Sequence, residues 1–449
     1  MKNLSIFFFF SVVLVSCGNS SVIKDVSFEG ELYAKNTIGV NFNTALPDIT
    51  TSFQWFISST PSGEWEVLQG IHTHEIVLLM DYAGKYLKCE ITALKNNNKV
   101  AIAEIISKEP IEDRGNPNTD WLKDAGIGLM VHYLKYVHYN AGEWSKMVDG
   151  YNFDLYMQFV YDDTSGSKEW NEMVDGFDVE LFANQCKESG VNFVLWTLGQ
   201  HDGYFNSPNA SYDKITSVHA GDLCSKRDLP ADLIPALKQK GIKFMFYLPG
   251  NSPIRNEYVT KKFQYTYQED SPPSQFTQEC WESVIREWSL RYGKDLYGWW
   301  FDGMYRGGII EARSDMSLKH NISTHTLAAK AGNPQSIVSY NYGVAEIQSN
   351  SPYDDYSAGE ENNIIQLPES RWVLPGIQWF HFAHLGKFWA IPGIKHKTAD
   401  LETWSRKVFE KEGVICFDVY VTPNGEIDPQ QREQLKAMSN IYREVKKQR

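Results

Sequence analysis

Between residues 26 and 108, apolar and polar positions alternate in short runs separated by turn residues. Ser52–Ser58, Trp65–Leu68, Glu75–Leu79 and Tyr86–Ala93 are such runs. Period-two alternation marks strands with one buried face, and a strand about every ten residues predicts a small β-sandwich over 26–108. The stretch from Glu109-Pro110 to Asn118-Thr119 is polar, with Pro, Gly and Asn, and reads as a linker. From there to residue 449 the texture changes. Apolar runs at Gly128–Tyr133, Asn192–Leu198, Lys243–Leu248, Tyr297–Phe301, Ser336–Tyr340 and Val414–Val421 predict buried strands. Amphipathic segments at Val179–Ser189, Leu229–Lys240, Phe276–Tyr292 and Gln430–Val445 predict helices between and after them. Strand–helix alternation over about 330 residues predicts a parallel sheet, and at that length a (β/α)8 TIM-like barrel over 118–449 ahead of a doubly wound sheet. No glycine-rich nucleotide loop follows any strand.

The N-terminus adds a compartment. Lys2 precedes an apolar run from Leu4 to Val15 that ends at Ser16-Cys17, so residues 1–17 read as a signal peptide too short to span a bilayer. Leu14-Val15-Ser16-Cys17 resembles a bacterial lipobox, which implies cleavage before Cys17 and lipidation of its sulfur. The expected product is exported and lipid-anchored to a bacterial membrane, on the periplasmic or cell-surface side. The other five cysteines are widely spaced and form no CxxC, so neither a disulfide framework nor a metal cluster is expected. A net charge of −13 argues against nucleic acid as a partner, since a phosphate backbone needs a basic patch. Aromatic residues make up 14% of the chain, which suits both a ring-rich core and stacking on sugar faces.

In barrels of this kind the chemistry lies at the C-terminal ends of the strands. Those ends carry His132-Tyr133, then Gln200-His201-Asp202-Gly203-Tyr204, then Tyr247, then Asp302-Gly303, then Asn341-Tyr342. Asp302 stands out because it follows Trp299-Trp300-Phe301, and a carboxylate left unpaired at an apolar strand end is costly. It is either functional or a cap for the loop after Gly303. A retaining glycosidase needs two carboxylates roughly 5 Å apart, one to attack and one to protonate the leaving oxygen. Glu360 or Glu361 could be the second. On spacing alone, Asp354, Asp355, Glu360 and Glu361 read more simply as a solvated acidic loop. Without an HExxH motif, His132, His201 and Asp202 do not make a metal site, and no cofactor is expected. No GxSxG elbow points to a serine hydrolase.

Seven segments in order carry a family resemblance. Trp121 to His132 looks like the "WFxDAKFGIFIHW" opening of α-L-fucosidases, glycoside hydrolase family 29. Phe177-Asp178 to Gly190 resembles their "FDAxxWxxLAKxAGAKY" helix. Gln200-His201-Asp202-Gly203-Tyr204 is similar to "HHDGF", and Lys226-Arg227-Asp228-Leu229 to "KRDLV". Trp300-Phe301-Asp302-Gly303 resembles "WFDG", Asp355 to Glu360 resembles "DYxTPE", and Thr422 to Ile427 resembles "GPTPDGEIP". The resemblance spans Trp121–Val445. It implies a retaining exo-glycosidase that releases terminal α-L-fucose, with Asp302 as nucleophile and Glu360 as acid and then base. His132, His201, Asp228 and Gln200 are implied pocket residues, with Trp300 and Tyr247 as walls.

The departures fall on sugar-contacting positions. Gln200 replaces a His, Tyr133 a Trp, and Ser339-Tyr340-Asn341-Tyr342 lacks the Arg of the family's "NxR". A different sugar such as an α-L-galactoside, or glycan binding without turnover, are the alternatives. Trp55 and the run Asp81 to Tyr86 likewise resemble the core Trp and tyrosine corner of immunoglobulin-like domains, without the inter-sheet disulfide.

Overall fold

The computed structural model describes residues 22–135, 167–265, 273–304, 314–344 and 347–449. Cys17 and the apolar leader lie outside the described residues. The chain forms two compact units. One comprises the residues up to Gly115 together with Asp315–Leu327; the other comprises Asn116–Ser314 and Ala328–Arg449.

The first unit holds two antiparallel sheets. β1 (Ile23–Glu29), β2 (Thr37–Thr44) and β5 (Glu75–Val77) form one, in the order β1-β2-β5. β3 (Thr50–Ser58), β4 (Glu66–Val67), β6 (Tyr86–Lys95) and β7 (Asn98–Ile106) form the other, in the order β4-β3-β6-β7. In β6 alternate residues Leu87, Cys89, Ile91 and Ala93 are buried, as the period-two pattern requires. They share one cluster with Ile38 and Val40 of β2 and with Trp55. Trp55 is fully buried, sits opposite Cys89, and donates its indole N–H to Thr73 O at 2.9 Å. Cys89 is a free thiol. The segment Asp315–Leu327, far along the chain, belongs to this unit: Met316 packs against the cluster, and Asn321 Nδ2 donates to Gly70 O.

The second unit is built on one parallel sheet of seven strands in the order β12-β11-β10-β9-β8-β16-β15. These are β8 (Ile127–Val131), β9 (Phe193–Thr197), β10 (Lys243–Pro249), β11 (Leu296–Asp302), β12 (Ile337–Tyr340), β15 (Phe380–His384) and β16 (Val414–Val419). A hairpin of β13 (Trp372–Leu374) and β14 (Ile377–Gln378) precedes β15. Every residue of β8, β9, β12, β15 and β16 is buried, because both faces of the sheet are covered. Helix starts are set by local chemistry: Asp178 caps Val179–Ser189, and Asp228 caps Leu229–Gln239 ahead of Pro230.

The gap between the edge strands β12 and β15 is filled by residues 354–361. Asp355 N donates to Val338 O on one side, and Glu361 N to Phe382 O on the other, while Gly359 O accepts from Phe382 N. Two carboxylates complete the pairing with β12. Asp354 Oδ1 accepts from Tyr340 N and Asp355 Oδ2 from Val338 N, both at 2.9 Å. Asp355 also takes Lys330 Nζ and Asn116 Nδ2 at 2.9 Å. Both aspartates are fully buried, so they are not part of a solvated acidic loop. Gly359, at φ +69°, is needed here, because a Cβ would collide with the Phe380 carbonyl.

The stretch expected to be a linker is folded at both ends. Ile111 is buried in the β unit's cluster, and Asn116 and Thr119 are buried in the second unit. Their polar side chains are consumed internally, Asn116 by Asp355 and Gly376 O, Thr119 by Asn116 O.

Candidate active site

One face of the seven strands and of residues 354–361 contributes to a single apolar cluster. It contains Met130, Leu195, Met245, Tyr247, Trp300, Ile337, Ala358, Phe382 and Cys416. Side chains on a strand alternate faces, so two residues further along the same face returns. That arithmetic places His132 above Met130, Asp302 above Trp300, Glu360 above Ala358, His384 above Phe382 and Asp418 above Cys416. Asn341 stands four beyond Ile337 and therefore on the same face. The polar residues at the strand ends thus converge over one interior, while Glu361 and His381 belong to the opposite face.

At the end of β11 the chain turns at Gly303, φ +72°, and leaves the Asp302 carboxylate at the rim. Tyr247 comes from the neighbouring strand, where it pairs in register with Trp300, and the two rings stack at 5.1 Å and 16°. The Tyr247 hydroxyl donates to Asp302 Oδ2 at 2.5 Å. Gln200 Nε2 donates to the Tyr247 oxygen, and Gln200 Oε1 accepts from His201 N. With its oxygen so occupied, the hydroxyl hydrogen is directed at Asp302.

Asn341, fully buried, joins the two carboxylates. Its Nδ2 donates to Asp302 Oδ1 at 2.9 Å and to Glu360 Oε2 at 2.6 Å. Because both bonds start on one nitrogen, the two oxygens lie no farther apart than the two bond lengths together, about 5.5 Å. Burial, and then the Asp302 charge, push the Glu360 carboxyl up to about 8, although the Asn341 bond opposes them. A carboxyl in that state holds its proton at neutral pH.

Glu361 is turned away. Its Oε2 meets His381 Nε2 at 3.1 Å, and its carboxylate accepts from the amides of Ile365 and Gln366. Spacing alone left Glu360 and Glu361 open and the resemblance pointed to Glu360; adjacent residues on an extended segment cannot share a face.

His132 Nδ1 is 2.8 Å from Asp418 Oδ1, whose other oxygen accepts from Ala390 N. The His132 ring lies edge-on to Tyr247 at 5.4 Å and to Trp389 at 5.5 Å. His201 stands by Gly303. Burial, followed by the nearby Arg255 charge, takes it down to about 3 against the pull of Asp302, so it is neutral at pH 7. Trp389 packs against Phe382 and His384, extending the aromatic wall that begins at Tyr247 and Trp300.

Asp228 is the exception among the expected pocket residues. It is the N-cap of Leu229–Gln239, accepting from Ala231 N, from the Tyr292 hydroxyl at 2.6 Å and from Arg291 at 3.2 Å. Its carboxylate is consumed holding two helices together, and no bond connects it with Asp302, Asn341 or Glu360. Asp-Leu-Pro is an N-cap followed by proline, a local signal that outweighs the resemblance here. Three site residues had no role in the sequence reading: Asn341, Asp418 and Trp389. Asp418 could have been found as a lone charge inside the apolar run Val414–Val419, two positions beyond Cys416.

A family model described as alpha-L-fucosidase matches residues 94–444. No curated relative matches the chain. Among solved structures, an α-L-fucosidase of glycoside hydrolase family 29 from Bacteroides thetaiotaomicron is similar with a TM-score of 0.50 at 16% identity, over 73% of each chain. A bacterial fucosidase with a monovalent iminocyclitol inhibitor has a TM-score of 0.51 at 17% identity, over 73% of this chain and 74% of that one. An endo-fucoidan hydrolase of glycoside hydrolase family 107 has a TM-score of 0.50 at 12% identity, over 73% of this chain and 93% of that one. At these identities the likeness is one of fold.

Proposed function

The chain belongs to the α-L-fucosidase family and is a glycoside hydrolase, and from that premise we propose that it releases terminal α-L-fucose from glycans with retention of configuration. The observation that carries this reading is the shared donor Asn341, which keeps the nearest oxygens of Asp302 and Glu360 within about 5.5 Å. Retaining pairs sit about 5–5.5 Å apart, whereas inverting pairs need about 6.5–9.5 Å to admit a water. The structure of a Bacteroides thetaiotaomicron fucosidase of similar fold is described as a trapped covalent intermediate, which is the chemistry proposed here.

In the first step an Asp302 oxygen forms a bond to the anomeric carbon. The bond to the leaving oxygen breaks with its electron pair, and that oxygen takes the proton of Glu360. In the second step water attacks the anomeric carbon and gives its proton to the Glu360 carboxylate. The ester bond breaks, and its electron pair returns to Asp302. The sum is hydrolysis, with two inversions giving net retention. Gln200 serves this reading through Tyr247. His132, Trp389, Tyr247 and Trp300 would line the sugar site.

The test is the stereochemistry of the first product. Proton NMR during hydrolysis of an aryl α-L-fucoside is expected to show α-L-fucose first, the β anomer growing in only by mutarotation. The β anomer appearing first, or no turnover with rapid turnover of an aryl α-L-galactoside, would overturn the mechanism or the sugar respectively.

The finer architecture belongs to the same proposal. Residues 354–361 act as the eighth stave of a (β/α)8-type barrel, and the two sheets of residues 23–106, expected over 26–108, form an immunoglobulin-like sandwich. We also propose export and lipid anchoring through Cys17, supported by the leader and Leu14-Val15-Ser16-Cys17. No described helix is long and apolar enough to cross a membrane. Metabolic labelling with palmitate is expected to mark the wild-type protein in a bacterial host. Cys17→Ser should abolish the label and shift the protein from the membrane to the soluble fraction; label retained in that variant would exclude the anchor.

A further inference from the structure

We propose that Asn341 is a positioning residue that sets the separation of the two carboxylates and keeps the transferable proton of Glu360 on Oε1. This rests on Asp302 and Glu360 being the nucleophile and the acid. The Asn341 backbone is held on both sides: its N donates to Phe301 O at 2.8 Å, and its O accepts from Met304 N at 2.9 Å. The orientation of its amide is also determined. Asn341 Oδ1 accepts from Gly343 N at 3.1 Å. Reversing the amide would set two N–H groups against each other there and an oxygen against two carboxylates. Nδ2 therefore faces the acids, one hydrogen for each.

An amide N–H can only donate. The carbonyl oxygen of a protonated carboxyl is its better acceptor, so the bond from Nδ2 to Oε2 favours a Glu360 whose hydrogen sits on Oε1. Asp302 has Oδ1 held by Asn341 and Oδ2 by Tyr247, which fixes the carboxylate plane. The donor is also neutral. A cation in the same place would favour ionised Glu360 and weaken it as an acid, whereas a neutral amide brings the pair together and leaves the mutual repulsion of the two acids in force. Of the titratable groups around the pair, Asp302 on β11 acts directly on Glu360, while Tyr247 on β10 and His201 after β9 act on or beside Asp302. Glu361 and His381 pair with each other on the far face.

The test uses the full exported chain with two substitutions, Asn341→Leu and Asn341→Asp. Thermal melting shows which variant folds. Glu360 is titrated directly by 13C NMR of carboxyl-labelled glutamate, its signal assigned by loss in Glu360→Gln. The midpoint is expected to rise in either folded variant, since Leu removes the one bond that lowers it and Asp adds a second neighbouring anion. With aryl α-L-fucosides, kcat is expected to fall about 10²-fold for a poor leaving group and less for a good one, with KM nearly unchanged. A folded variant of either kind with an unmoved Glu360 midpoint would overturn the proposal, because a merely structural asparagine would lower the melting temperature alone. The titration needs no substrate, so it decides the role of Asn341 even if fucosides are not cleaved, a result that would count against the proposed activity instead.

Discussion

Asp302→Gly is expected to lower kcat for an aryl α-L-fucoside by about 10⁴-fold or more while leaving the melting temperature close to wild type. The size follows from the role: removing a nucleophile that forms a covalent intermediate removes the whole double-displacement route, not one contribution to it. The fold is expected to tolerate the change because Asp302 is the last residue of β11. Its carbonyl accepts from Gly250 N, and among the described residues its side chain bonds to Tyr247, on β10, and to Asn341, whose backbone is tied to Phe301 O and Met304 N. Removing one of the two half-buried carboxyls also relieves their repulsion. Glycine leaves room for a small anion, so added azide should restore turnover of a substrate with a good leaving group. Azide would then attack from the face Asp302 used and yield the β-L-fucosyl azide. Unchanged turnover in Asp302→Gly would exclude Asp302 as nucleophile. Rescue with the α azide instead would assign it to the acid's place.

The apolar runs made most of the parallel sheet legible. Five of its strands, β8 to β11 and β16, are near-continuous stretches of Val, Leu, Ile, Phe, Met and Trp, because both faces are covered. β15 escaped because His381 and His384 interrupt its hydrophobic run, although all five of its residues are buried. The segment 354–361 escaped for a sharper reason. It pairs with β12 partly through carboxylates instead of carbonyls, so its sequence is acidic where a strand's is apolar. Four acidic residues in eight look solvated unless one knows that Lys330, Asn116 and six strand or loop amides are waiting for them.

The site was legible in part, and the division is physical. Asp302 could be read because a charge ending an aromatic strand is anomalous. Glu360 could not be separated from Glu361 by composition, but parity along the segment separates them once Ala358 is known to face the interior. Two departures from the family pattern change meaning in the structure. Tyr133 points away from the site and donates to the carbonyls of Met173 and Pro423. Gln200 reaches Tyr247, whose hydroxyl donates to Asp302, so it meets the carboxylate through that phenol.

Glu360→Gln separates acid catalysis from everything else at the site. Gln keeps the shape but has no proton to transfer, so the loss should depend on how much the leaving group needs one. General acid catalysis contributes roughly 10²–10⁴-fold. A loss in that range is expected for a poorly activated fucoside, and a far smaller loss for one whose leaving group departs unprotonated. Wild-type kcat/KM should fall as pH rises through about 8, where Glu360 loses its proton, and this alkaline limb should vanish in Glu360→Gln. The stability sign is opposite to that of an ordinary salt-bridged carboxylate. The folded state holds the proton up to about 8, while the unfolded chain releases it near the usual carboxylate value, so folding binds a proton between those limits. Wild-type stability contributed by this group is therefore complete at acid pH and is lost as pH climbs across that window. Glu360→Gln removes the dependence, so its melting temperature should exceed that of wild type increasingly from pH 5 to pH 8. Azide should accelerate the second step in this variant and give the α-L-fucosyl azide, the opposite anomer from the Asp302→Gly product. An alkaline limb that persists in Glu360→Gln, together with equal losses on good and poor leaving groups, would leave Glu360 without the acid's role.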